Sequence, residues 1–160
     1  MNVRAVLTLI LLCSGFCASD TSDARPLTAS KDWAGTWILN LRASRFSASA
    51  PKSEIRTIVL SGSKMFVRSN FIDPRGASKH FHYSVTLDGR FHPLVGNPDG
   101  DSIAARLITA RKVSITVRRN GMSSATATTE VSETRLVMQR HRLELSGSPS
   151  EDILVYDRSR

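Results

Sequence analysis

Asp32-Trp33-Ala34-Gly35-Thr36-Trp37-Ile38-Leu39-Asn40 is where a polar leader stops and a run of short strands begins. The two tryptophans anchor a first strand expected over 35–40. Arg42 to Phe46 follows as a loop or short helical turn closed by a buried Phe46, and Ser47 to Pro51 is a small-residue stretch whose proline cannot continue a ladder. From Ser53 onward one theme repeats: a run with period-two alternation, then a turn of Gly, Pro, Asp or Asn. Strands are expected over 53–61, 64–72, 80–87, 91–95, 102–110, 112–119, 122–132, 134–146 and 152–156.

Counting 35–40 as the first strand, the fourth, 80–87, is the clearest. Phe81, Tyr83, Val85 and Leu87 alternate with His80, His82, Ser84 and Thr86, giving one apolar and one polar face. In the third, Met65, Val67 and Phe71 share a face, and in the seventh Val113, Ile115 and Val117 do. Asp73-Pro74-Arg75-Gly76, Asp88-Gly89 and Asn120-Gly121 are turn signals, the last being the strongest two-residue hairpin signal in the chain. No amphipathic helix of ten residues follows the leader. The expected class is therefore all-β, an antiparallel up-and-down sheet of about 8–10 strands. Curling into a closed barrel removes the exposed edges such a sheet would carry; a sandwich is the alternative.

The ordered series Gly35-Thr36-Trp37-Ile38-Leu39-Asn40, Ser44-Arg45-Phe46, Pro51-Lys52-Ser53, Gly96-Asn97-Pro98-Asp99-Gly100-Asp101 and Val155-Tyr156-Asp157 resembles a family of small exported bacterial proteins with a lipocalin-like barrel. The resemblance spans nearly the whole chain after its leader and implies fold and export. It carries over no catalytic residue; it implies only that Trp37 plugs the closed end of the barrel.

A chain of 160 residues, 41% apolar and 22% charged, is sized for one domain with a substantial core. Residues 1–19 have the three parts of a secretory signal: Arg4, an apolar run from Ala5 to Cys13, and small residues near Ala18. Cleavage as late as residue 24 also fits, because it places Ser22 and Ala24 in the small-residue positions. The organisation expected is a signal peptide over 1–19, a flexible lead-in over 20–32 and a barrel domain over 33–160, exported to a periplasm or secreted. Cys13 and Cys17 both leave with the signal, which excludes a disulfide, a Cys-ligated metal and a Cys nucleophile from the processed domain. Loss of Arg4 takes the formal charge from +8 to +7, with basic residues spread along the chain and not gathered into a block. Such a balance favours a solvated basic surface over a dedicated nucleic-acid face.

Candidate chemistry is sparse. His80 and His82 sit about 6.5 to 7 Å apart on one strand face, a spacing that occurs in zinc sites, with His92 near in sequence. Their face is opposite Phe81, Tyr83 and Val85, however, and so points to solvent. Asn97 to Asp101 lacks the spacing of a calcium loop and reads as a turn, in which Asp99 and Asp101 have no reason to hold shifted pKa values. There is no Gly-x-Ser-x-Gly and no phosphate-binding loop before a helix. Arg56, Arg68, Arg106, Arg118, Arg140 and Arg142 are expected on the outer faces of their strands as a basic wall; turned inward, they would instead form a cationic cavity for a fatty acid or another anion.

These residues point to a non-enzymatic monomer with neither metal nor cofactor. Its interior is expected to take a small apolar or amphipathic ligand between Phe66 or Phe71, Phe81, Tyr83, Val85, Ile115 and Val117. The alternative is an envelope interaction module whose basic wall meets anionic lipid or polymer.

Overall fold

The structure, a computed structural model, describes residues 27–94, 97, 100–143 and 149–160. The expected signal peptide, both cysteines, Asp99 and most of the lead-in lie outside the described residues. Ten strands follow a short 3-10 turn at Lys31–Trp33: β1 Gly35–Leu39, β2 Ser53–Ser61, β3 Lys64–Ile72, β4 Ser78–Thr86, β5 Asp88–Pro93, β6 Ser102–Thr109, β7 Lys112–Arg119, β8 Met122–Val131, β9 Arg135–Leu143 and β10 Pro149–Arg158. They form one sheet in the order β4-β3-β2-β1-β10-β9-β8-β7-β6-β5, with every neighbouring pair antiparallel. Every strand bonds to the next in sequence except β4, which does not pair with β5, and β1 also pairs with β10. The result is a nearly closed up-and-down barrel with its seam between β4 and β5.

Local chemistry explains the hairpins. Asn120 and Gly121 take φ of 53° and 77°, the left-handed pair that a two-residue hairpin of matching twist demands. Strand parity then sorts the faces. Met65, Val67 and Ser69 on β3, Val85 on β4, Val113 and Val117 on β7, and Leu136 and Met138 on β9 are buried in the interior, while intervening residues face out.

One end is closed by aromatic packing. Trp33 and Trp37 are both fully buried, the Trp37 indole N–H donating to the Trp33 carbonyl and the Trp33 indole N–H to the Ala110 carbonyl. Each indole buries on the order of 150–250 Å2, which is about 4–6 kcal/mol apiece at roughly 25 cal/mol per Å2. Arg158, at the end of β10 and paired in register with Trp37, lays its guanidinium 4.2 Å from the Trp37 ring centroid and donates to the carbonyls of Ala34 and Asp32. Gly35 makes room for it: its φ is 145°, and a Cβ there would collide with the Arg158 guanidinium. The plug implied for Trp37 is thus present, and Trp33 shares the role.

Several expectations change. The described end of the lead-in is anchored on the barrel: Ser30 donates its backbone N–H to the Ala110 carbonyl, and the buried Asp32 carboxylate is paired with Arg111 at 2.7 Å. Phe46 is half-buried, packed against the core at the opposite end of the barrel from the tryptophans. β5 starts at Asp88 through a bulge between Asp88 and Phe91, and β10 extends from Pro149 to Arg158 because it serves both β9 and β1.

Candidate ligand-binding site

The interior is layered by polarity. Above the tryptophans, Ile58, Val67, Val113, Leu136 and Met138 form an apolar floor whose residual void is about 20 Å3. On this floor lies a buried polar cluster centred on Glu54. β2 carries Glu54 and Arg56 on its inner face, where the Arg56 Nη2 meets Glu54 Oε1 at 2.7 Å. The Ser69 hydroxyl donates to the same oxygen at 2.5 Å, and the Tyr156 hydroxyl donates to Oε2 at 3.0 Å. The Arg56 guanidinium stands 4.9 Å from the Tyr156 ring centroid. Burial pushes the Glu54 carboxyl up, but Arg56 and the hydrogen bonds from Ser69 and Tyr156 outweigh it and hold the group below the usual carboxylate range. Burial also pushes the Tyr156 and Tyr83 phenols up, so both stay protonated. The cluster is therefore one cation against one anion, with each Glu54 oxygen engaged. It is an internally matched ion pair whose two residues also line the mouth cavity.

The mouth is different. Arg140 and Arg142 of β9 and Asp152 of β10 point into it. The Nη2 atoms of both guanidiniums converge on Asp152 Oδ2, at 2.8 and 3.1 Å, while Oδ1 accepts from the backbone N–H and hydroxyl of Ser47 at 2.9 and 2.8 Å. Asp152 thereby ties the 42–52 segment to the barrel rim. Burial raises the Asp152 carboxyl, yet the Ser47 and Arg140 hydrogen bonds bring it below its ordinary value. Two cations thus face one carboxylate, and the Nε–H groups of Arg140 and Arg142 are buried with no hydrogen-bond partner among the described residues. Beside them opens a cavity of about 210 Å3 walled by Phe46, Pro51, Phe71, Pro74 and Phe81. A narrower void of about 60 Å3 continues inward past Tyr83, Ile115 and Val117.

Of the residues expected to line a cavity, Phe71 and Phe81 stand at the mouth, edge to face with ring centroids 6.2 Å apart. Phe81 stacks in turn on Tyr83 at 6.2 Å. Ile115 and Val117 face the inner void, and Val85 is buried in the closed-end core. Phe66 is corrected: it is 43% exposed on the outer wall, since strand parity places it opposite Met65 and Val67. The arginines divide. Arg68, Arg106 and Arg118 are exposed on the outside, but Arg56, Arg140 and Arg142 turn inward because buried carboxylates wait for them there. Glu54, Ser69, Asp152 and Tyr156 were not anticipated as site residues; parity continued from Leu154 or Leu136 would have found Asp152, Tyr156 and both β9 arginines.

His80 and His82 are exposed on the outer face of β4, away from the cavity. Asp101 does turn-building work, accepting from the Asn120 N–H at 2.6 Å. A larger trough of about 560 Å3 on the outer wall, around Val59, Phe66 and His82, is an open groove between outward side chains.

Ten antiparallel strands, a tryptophan-plugged end and an opposite mouth leading to the interior define a barrel with a lipocalin-like fold. The fold is similar to that of zebrafish ileal bile acid-binding protein, solved in complex with cholic acid, with a TM-score of 0.52 and 13% identity over 80% of this chain and 99% of that one. No protein-family model and no curated protein sequence matches the chain.

Proposed function

We propose that the protein is an exported, non-enzymatic carrier that takes a small apolar or amphipathic molecule into its barrel through the open mouth and performs no chemistry on it. The carrying observation is the cavity of about 210 Å3 among Phe46, Phe71 and Phe81, which opens onto the interior face of the barrel. Ligand pockets typically span roughly 300–1,000 Å3, so the occupant is small, or only its head fits and a tail displaces side chains along the inner void. The structural neighbour is a bile acid-binding protein, and cholic acid joins an apolar body to a polar head, which fits the same reading. The carboxylates of Glu54 and Asp152 are saturated with donors and leave no free base, which supports binding over catalysis. Export from a signal segment over 1–19 to a periplasm or the exterior, and action as a monomer, complete the proposal.

The test is fluorescence titration with N-phenyl-1-naphthylamine, a neutral apolar probe. Saturable enhancement that is weakened by Phe81→Asp, in protein whose thermal unfolding stays cooperative, is the expected result. Enhancement that is absent, or indifferent to Phe81→Asp, rejects the interior as a ligand site.

A further inference from the structure

Building on that reading, we infer that the ligand is an amphipathic monoanion held head-outward, with its oxyanion on Arg140 and Arg142 at the mouth and its apolar part directed down past Phe81 and Tyr83. The inference rests on where the interior positive charge is left unmatched. Arg56, the deeper cation, is matched by Glu54, and that carboxylate is filled by Arg56, Ser69 and Tyr156, so a second anion there would have to break a buried ion pair. At the mouth the balance among the described residues is two guanidiniums to one carboxylate.

Donor bookkeeping leads to the same place. Each guanidinium carries five N–H donors, of which Asp152 takes one from Arg140 and one from Arg142. Asp152 cannot take more, because its other oxygen is occupied by Ser47. The Nε–H groups of both arginines are buried and without partners among the described residues, and the parts of each guanidinium that line the adjoining cavity are where an oxyanion would be met. One negative charge balances the described charges of the mouth, whereas a dianion would overshoot them. Phe46, Phe71 and Phe81 beside the pair supply the apolar contact that inorganic anions cannot use, which selects an amphiphile.

The experiment compares octanoate with 1-octanol, equal in chain length and different only in the head, on 15N-labelled protein. Octanoate is expected to shift the Arg140 and Arg142 Nε–H resonances and to leave that of Arg56 in place, while 1-octanol moves interior amides such as those of Phe81 and Ile115 alone. Arg142→Gln, which leaves Asp152 paired with Arg140, is expected to weaken octanoate binding roughly tenfold, the order of one charge-assisted hydrogen bond, and to weaken 1-octanol binding by clearly less, so that the preference for octanoate falls. If both ligands move the interior amides but octanoate leaves the Arg140 and Arg142 signals still, or shifts Arg56 instead, the head-outward site is wrong and the carrier reading stands. If neither ligand moves an interior amide, the carrier reading fails and takes the head-outward site with it.

Discussion

The two ends of the barrel use arginine in opposite ways. At the closed end Arg158 covers the Trp37 ring and directs its donors to backbone carbonyls, so a cation becomes part of a solid plug. At the open end Arg140 and Arg142 crowd one carboxylate beside the mouth cavity, so the same side chain leaves donors over. The difference lies in the supply of acceptors. Where the chain presents carbonyl oxygens at the turn before β1, a guanidinium is satisfied from within; where Asp152 is the only acceptor among the described residues, donors are left for something from outside. Between them sits the Glu54–Arg56 pair, complete in itself, which separates the sealing half from the receiving half.

This contrast breaks most readily at the plug. Trp37→Ala is expected to cost about 3–5 kcal/mol, read as a lower denaturation midpoint in urea, and to leave the mouth's preference for octanoate over 1-octanol intact if any folded population survives. Glu54→Gln is expected to follow closely, because it strands a buried guanidinium, at about 3–5 kcal/mol. A pH series sharpens the same point. Glu54 and Asp152 are held below their ordinary values in the folded state, so the stability they contribute is fully present above the ordinary carboxylate range of about 4 and is lost as pH falls through the lower folded-state values. Thermal melts of the native protein should therefore drop steeply in acid, and those of Glu54→Gln should drop less. The smallest effect is reserved for the outer wall: Phe66→Ser is expected to change stability by no more than about 0.5 kcal/mol and to leave probe binding untouched. A large loss from that substitution would mean that the outer trough, and not the interior, carries weight.

Much of the fold was legible because alternation and turn chemistry are local. Phe81, Tyr83 and Val85 announce their face within one strand, and Asn120-Gly121 announces its turn within two residues. The inner polar cluster was not legible, because β2 mixes Glu54 and Arg56 with Ile58 on one face and Ile55 with Val59 on the other, so hydrophobicity alone does not say which face is buried. What decides it is Ser69 and Tyr156, 15 and 102 residues away from Glu54, whose hydroxyls make the buried carboxylate tolerable. The arginines of β9 were misplaced for a related reason: charge was read as a mark of the surface, whereas parity from Leu136 and Met138 already directed Arg140 and Arg142 inward. Phe66 was the reverse error, an aromatic assigned by type against the parity of its own strand.

The pairing of Trp37 with Arg158 has one more consequence. Because β1 lies between β2 and β10, neither the first nor the last strand offers a free backbone edge, and the sheet's unpaired edges fall instead on β4 and β5 in the middle of the sequence. Self-association by strand addition, the hazard of any open edge, is thereby moved away from the chain ends to the line where β4 meets β5. On β4 that line carries His80 and His82 outward, polar side chains of the kind that discourage a second molecule from docking there.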